Sequence, residues 1–134
     1  MDAGGTRQLG TADKRVLVVD DDRDIRESLV ELLESEGYQV SSAANGRDAL
    51  AEARRTRPDV ILLDQMMPVM CGREFQAAQA RDPSLAGIPV LRISASPVDS
   101  VGEFLRKPFG IDEVLGVVRR LAAGRACAGY APVP

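Results

Sequence analysis

Two groups of carboxylates stand where short apolar runs end. Val16-Leu17-Val18-Val19 leads into Asp20-Asp21-Asp22, and Val60-Ile61-Leu62-Leu63 leads into Asp64. An isolated Asp triplet is ordinarily a solvated turn with a helix N-cap, and Asp64 alone is equally ambiguous. Together the two groups say more. Carboxylates delivered to one edge of a sheet repel one another, and a cation there offsets the cost. A small all-oxygen donor set suits Mg²⁺, which keeps several of its waters. A carboxylate beside such an ion can attack a phosphoryl group and form an acyl phosphate, because the cation neutralises the charge between the two anions. A lysine would help in the same way. The chain has only two lysines, Lys14 and Lys107, against fifteen arginines. That contrast favours a chosen role for Lys107, directly before Pro108, over chance, because a compact ammonium is a different tool from a guanidinium. Histidine is absent altogether, which excludes Ser-His-Asp and Cys-His catalysis. Cys71 and Cys127 form no CxxC pair, so two reduced thiols in a cytoplasmic protein are expected.

The elements that must hold these residues follow from periodicity. The runs at 16–19 and 60–63 are too short for helices and suit strands buried on both faces. Further strands are expected at 39–43, at 88–93 with Pro89 at the strand start where its missing N–H is tolerated, and at 103–106. Ile25, Leu29, Leu32 and Leu33 mark an amphipathic helix over 23–36, stopped by Gly37. Helices are also expected over 46–56, with Ala49, Leu50 and Ala53 inward, and over 72–81 around Phe75 and Ala78. Ile111, Val114, Leu115, Val118 and Leu121 define a last helix. Alternation of this kind makes a doubly wound α/β fold with a parallel sheet. Its functional site lies beyond the carboxyl ends of the strands, where both Asp groups meet. The first and last helices should cover one face, and the second and third the other.

Four segments in order carry a resemblance: Val16 to Asp22, Pro58 to Pro68, Ile88 to Ala95 and Leu105 to Phe109. They are similar to the signature segments of bacterial response-regulator receiver domains, from about Arg15 to Leu121. The resemblance implies a five-stranded parallel sheet in the order 2-1-3-4-5. It implies Asp64 as phosphoacceptor, Asp21 as a direct Mg²⁺ ligand, Asp20 as a ligand mainly through water, and the Met66 backbone carbonyl as the last protein ligand. It further implies Lys107 on the phosphoryl oxygens, Ser94 as the hydroxyl that turns toward the phosphoryl group, and Phe104 as the aromatic that moves with it. A core aromatic is the lesser alternative for Phe104, and loop packing is an alternative for Met66 and Met67. The implied function is a signalling switch, not an enzyme beyond its own phosphorylation and slow dephosphorylation. Its partners would be a sensor histidine kinase or histidine phosphotransfer protein and a downstream protein target.

One departure is plain. Members of that family carry a fourth helix between the Ser94 and Lys107 segments. Here only 96–102 separate Ala95 from Glu103. A strand of ~5 residues is ~17 Å long and seven extended residues reach ~23–25 Å, so a short loop is expected in the helix's place. Apolar side chains among Val90, Leu91, Phe104 and Leu105 would then lose their lid. That face is expected to be either a homodimer contact or the docking site of the downstream protein.

The 134 residues fit one domain, and the expected division is a leader (1–13), a receiver domain (14–122) and a flexible tail (123–134), with no output domain expected in the chain. A net charge of −3 argues against direct nucleic-acid binding and a polybasic membrane anchor. No apolar run approaches the ~18 residues of a membrane span. A phosphohydrolase of the haloacid-dehalogenase type needs a second aspartate two positions after the first, and Met66 stands there. A receiver-like module that binds without phosphorylation is the remaining alternative, and Mg²⁺ binding separates the two.

Overall fold

The computed structural model describes residues 14–64, 72–94, 103–106 and 110–127. The elements are β1 (Arg15–Val19), α1 (Arg23–Ser35), β2 (Gln39–Ala43), α2 (Gly46–Thr56), β3 (Val60–Asp64), α3 (Gly72–Ala80), β4 (Val90–Ser94), β5 (Glu103–Arg106) and α4 (Ile111–Cys127). The strands form one sheet in the order β2-β1-β3-β4-β5, and every pairing is parallel. The doubly wound α/β architecture expected from the alternation is present.

Strand alternation sorts the core into two layers. Val16, Val18, Val60, Leu62, Leu91 and Ile93 pack against Leu29 and Leu33 of α1 and Val114, Leu115 and Val118 of α4. Leu17, Val19, Ile61 and Leu63 pack against Ala49, Leu50 and Ala53 of α2 and Phe75 of α3. The helices therefore cover the faces as their apolar stripes predict. β1 and β3 are buried on both sides, which is why their sequences read as unbroken apolar runs.

The helix ends have local causes. The Asp22 side chain accepts from the Ile25 N–H and caps α1, and Gly37 follows the helix at φ 101°, a conformation that costs glycine little. Asn45 caps α2 through the Asp48 N–H at 2.8 Å. After α3, buried Gln79 donates to the carbonyls of Leu85 and Ile88, both at 2.9 Å. Those bonds hold the turn that returns the chain to β4.

Several expectations need correction. The last helix reaches Cys127, so 123–127 are helical and not tail. Ala122, Ala123 and Ala126 are strong helix formers, and they extend the helix past the last large apolar residue. β4 begins at Val90, so Ile88 and Pro89 belong to the approach. Of the residues expected to border an open patch over β4 and β5, the Phe104 side chain lies outside the described residues and Val90 is half-buried on the face of α2 and α3. Leu91 and Leu105 are buried in the layer of α1 and α4, and Ile111 is the one large apolar side chain exposed among the described residues. The leader (1–13), the segment 95–102 in which a loop was expected to replace a helix, and the tail beyond Cys127 lie outside the described residues. Among the described residues no helix is long and apolar enough to cross a membrane.

Candidate functional site

Parallel strands end together, and that delivers the acids to one place. β1 and β3 are in register from Val16 opposite Val60 to Val19 opposite Leu63, so the residues that follow, Asp20 and Asp64, emerge side by side. One carboxylate oxygen each from Asp20, Asp21 and Asp64 lies within 4.8 Å of the others. Asp20 and Asp64 are buried, and Asp21 is exposed. The donors are all carboxylate oxygens, two of them withdrawn from bulk water and one reachable from it. That set fits a hard divalent cation with water still attached, and it suits no soft or nitrogen-seeking metal.

Asp20 is held as well as brought there. Its N–H donates to the Ala43 carbonyl at 3.2 Å. Its Oδ1 accepts from the Asp22 N–H at 2.9 Å. Its backbone carbonyl accepts from Arg26 Nη1 at 2.8 Å. The three acids of the triplet thus have separate tasks. Asp20 is fixed in the site, Asp21 stands at its mouth, and Asp22 caps α1. The N-cap reading was correct for Asp22 alone.

Ser94 closes β4 beside Asp64, which pairs with the preceding Ile93, and Ser94 itself pairs with Arg106 of β5. The strand register therefore brings the Ser94 backbone to the same end of the sheet as the acids. Phe104 lies on β5 opposite Arg92, two positions back from that end. Met66 and Lys107 lie outside the described residues.

Two residues were missed from sequence. Arg26 stands four positions after the Asp22 cap and so faces back toward the strand ends, a signal that was legible. Arg92 is only 5% exposed. It pairs with Leu63 on one side and Phe104 on the other, and alternation with Leu91 and Ile93 turns it to the layer of α2 and α3. A lone arginine inside an apolar strand run was visible in the sequence, but its burial was not.

Comparison with known proteins adds a separate line. The family model described as "Response regulator receiver domain" matches residues 16–119. The response regulator MprA of Mycolicibacterium vanbaalenii is 41% identical over 118 residues, covering 80% of this chain and 49% of the relative. The chain thus spans about half the length of the curated relatives it matches. Among solved structures, chemotaxis protein CheY4 of Vibrio cholerae is similar at 34% identity and a TM-score of 0.77, covering 82% of this chain and 99% of that one. The receiver domain of the sensor histidine kinase PA1611 of Pseudomonas aeruginosa is similar at 26% identity and a TM-score of 0.75, covering 83% and 98%. That structure has a magnesium ion coordinated in its active-site cleft.

Proposed function

The chain belongs to the response-regulator receiver family, whose members are phosphoacceptor signalling switches, and from that premise we propose that Asp64 is its phosphoacceptor. The observation that carries this is the convergence of Asp20, Asp21 and Asp64 at the carboxyl end of the sheet. The other roles follow from it. Asp21 and Asp64, with Asp20 chiefly through water and the Met66 carbonyl, would hold Mg²⁺. When bound, the ion offsets the negative charge between carboxylate and phosphoryl oxygens. Lys107 adds a compact positive charge on the same oxygens, and Ser94 supplies a hydroxyl to one of them.

An Asp64 carboxylate oxygen attacks phosphorus, and the bond from phosphorus to the donor breaks as the new P–O bond forms. With a phosphohistidine donor the imidazole leaves and takes up a proton, so the partner carries the histidine that this chain lacks. We assign that partner as a sensor histidine kinase or a histidine phosphotransfer protein, and the exit as a downstream protein whose contact depends on phosphorylation. Phe104 moves with Ser94. Beyond its own phosphorylation and dephosphorylation the chain catalyses nothing. The exchange belongs to the cytoplasm, where thiols such as Cys71 and Cys127 stay reduced.

The test is direct. Incubation with acetyl phosphate and Mg²⁺ should add one phosphoryl mass, labile to hydroxylamine, and Asp64→Asn should add none. Equal labelling of the variant would remove Asp64 from the role.

A further inference from the structure

The edge of the sheet at β2 carries a surface that complements itself. β2 lies at one end of the strand order, and among the described residues its only strand neighbour is β1. The Gln39 N–H donates to Lys14 and the Ala43 carbonyl accepts from Asp20. Residues 39, 41 and 43 thus address β1, while the backbone groups of Val40 and Ser42 face outward. Exposed edges are ordinarily blunted by charge, proline or a bulge. Gln39-Val40-Ser41-Ser42-Ala43 has none of these, whereas the opposite edge strand, Glu103-Phe104-Leu105-Arg106, has a charge at each end.

Beside this edge α2 presents Asp48, Ala51, Glu52 and Arg55, spaced i, i+3, i+4 and i+7, which is one helix face. Asp48, Ala51 and Arg55 are exposed. The stripe is acidic toward the helix N-terminus and basic toward its C-terminus. Two depressions follow the strand: one is lined by Val40, Ser41, Arg15 and Arg55, the other by Ser42, Ala44, Asp48 and Glu52.

We propose that β2 pairs antiparallel with β2 of a second copy of this chain, about a two-fold axis through Ser41, with the two α2 helices side by side. A two-fold axis perpendicular to the sheet keeps α2 on the same face in both copies and reverses its direction, so the basic end of each stripe meets the acidic end of the other. Arg55 then lies between its own Glu52, already its partner, and Asp48 of the second copy. Ala51, small and near the axis, lets the helices approach. Val40 of each copy exchanges backbone hydrogen bonds with Ser42 of the other. This edge is distinct from the β4–β5 face for which a dimer contact was expected from sequence. It backs onto the acidic cluster through Ala43, whose carbonyl holds the Asp20 N–H.

Sedimentation of the full chain at rising concentration should show a dimer. Arg55→Glu and Asp48→Arg should each weaken it about tenfold or more, since every contact occurs twice and attraction becomes repulsion. The double variant should recover the affinity, and circular dichroism should show all three folded. In a background with Cys71 and Cys127 replaced by Ser, Ala51→Cys should form an intermolecular disulfide under mild oxidation. A chain that stays monomeric at several hundred micromolar overturns the proposal, including the case in which the edge accepts an extended peptide from another protein. So does a dimer that Arg55→Glu leaves unchanged. Phosphorylation of Asp64 is read separately by mass, so failure there is distinguishable from failure here.

Discussion

Within the acidic cluster each aspartate has a different balance of attraction and repulsion. Asp21 is exposed and its contribution is mainly electrostatic. Removing its charge relieves repulsion among acids that share a 4.8 Å neighbourhood. Asp21→Asn should therefore raise stability without divalent ions by up to about 1 kcal/mol, the Coulomb scale for charges ~4 Å apart in water. Mg²⁺ should raise the urea midpoint of the wild type, since a ligand of the native state stabilises by mass action, and the same change should abolish that rise. Urea titrations with and without Mg²⁺ read both effects, and a wild type insensitive to Mg²⁺ would contradict the metal assignment. A second prediction concerns lifetime. Hydrolysis of the acyl phosphate needs an oriented water, and a thioether at position 66 has no donor to orient one. Met66→Asn should speed phosphoryl loss several-fold, measured as decay of the phosphorylated mass after the donor is removed.

Connections between elements are where polar side chains work hardest. The turn after α3 is fastened by Gln79 to two backbone carbonyls and by Asp82, which accepts from Arg54 of α2 at 2.9 Å and from the Ser84 hydroxyl at 2.8 Å. Gln79→Leu leaves both carbonyls without that donor and should cost about 1–3 kcal/mol, read by chemical denaturation. The hydrogen bond from Arg54, then those from Ser84, hold the Asp82 carboxyl below its ordinary value of 3.8. A carboxyl depressed in the folded state adds stability that is present above the unfolded value and lost as pH falls through the folded one. The advantage of wild type over Asp82→Asn should thus be full at neutral pH and fade as pH drops below about 4. Paired thermal melts at pH 7 and pH 3 measure that difference.

At the scale of the whole molecule the sheet serves two cores at once. Leu33 is buried in one and Phe75 in the other, and β1 and β3 supply both. Leu33→Ala should cost about 2–5 kcal/mol and Phe75→Ala about 3–5. Each should shift one common transition, seen alike by far-ultraviolet and near-ultraviolet circular dichroism, because neither layer can melt without exposing strands the other needs. Separate transitions for the two variants would mean the layers are independent.

The sequence by itself determined the order of elements, the parallel sheet, the assignment of helices to faces and the strand ends at Asp20 and Asp64. Each of these rests on local periodicity, or on the rule that strands joined by helical crossovers run parallel, and both are written in the chain. Tertiary structure alone decided the rest. Whether carboxylates 44 positions apart share a site depends on the register of β1 against β3, and no local pattern encodes register between distant strands. Asp20, Asp21 and Asp22 are chemically the same in sequence. They separate into a buried, an exposed and a capping residue only when β1 ends and α1 begins in space. Arg92 reads as a break in an apolar strand, and only packing shows that the sheet buries it. The last helix reaches Cys127 because alanines propagate a helix without large apolar side chains, and a reading keyed to apolar spacing stops where those side chains stop.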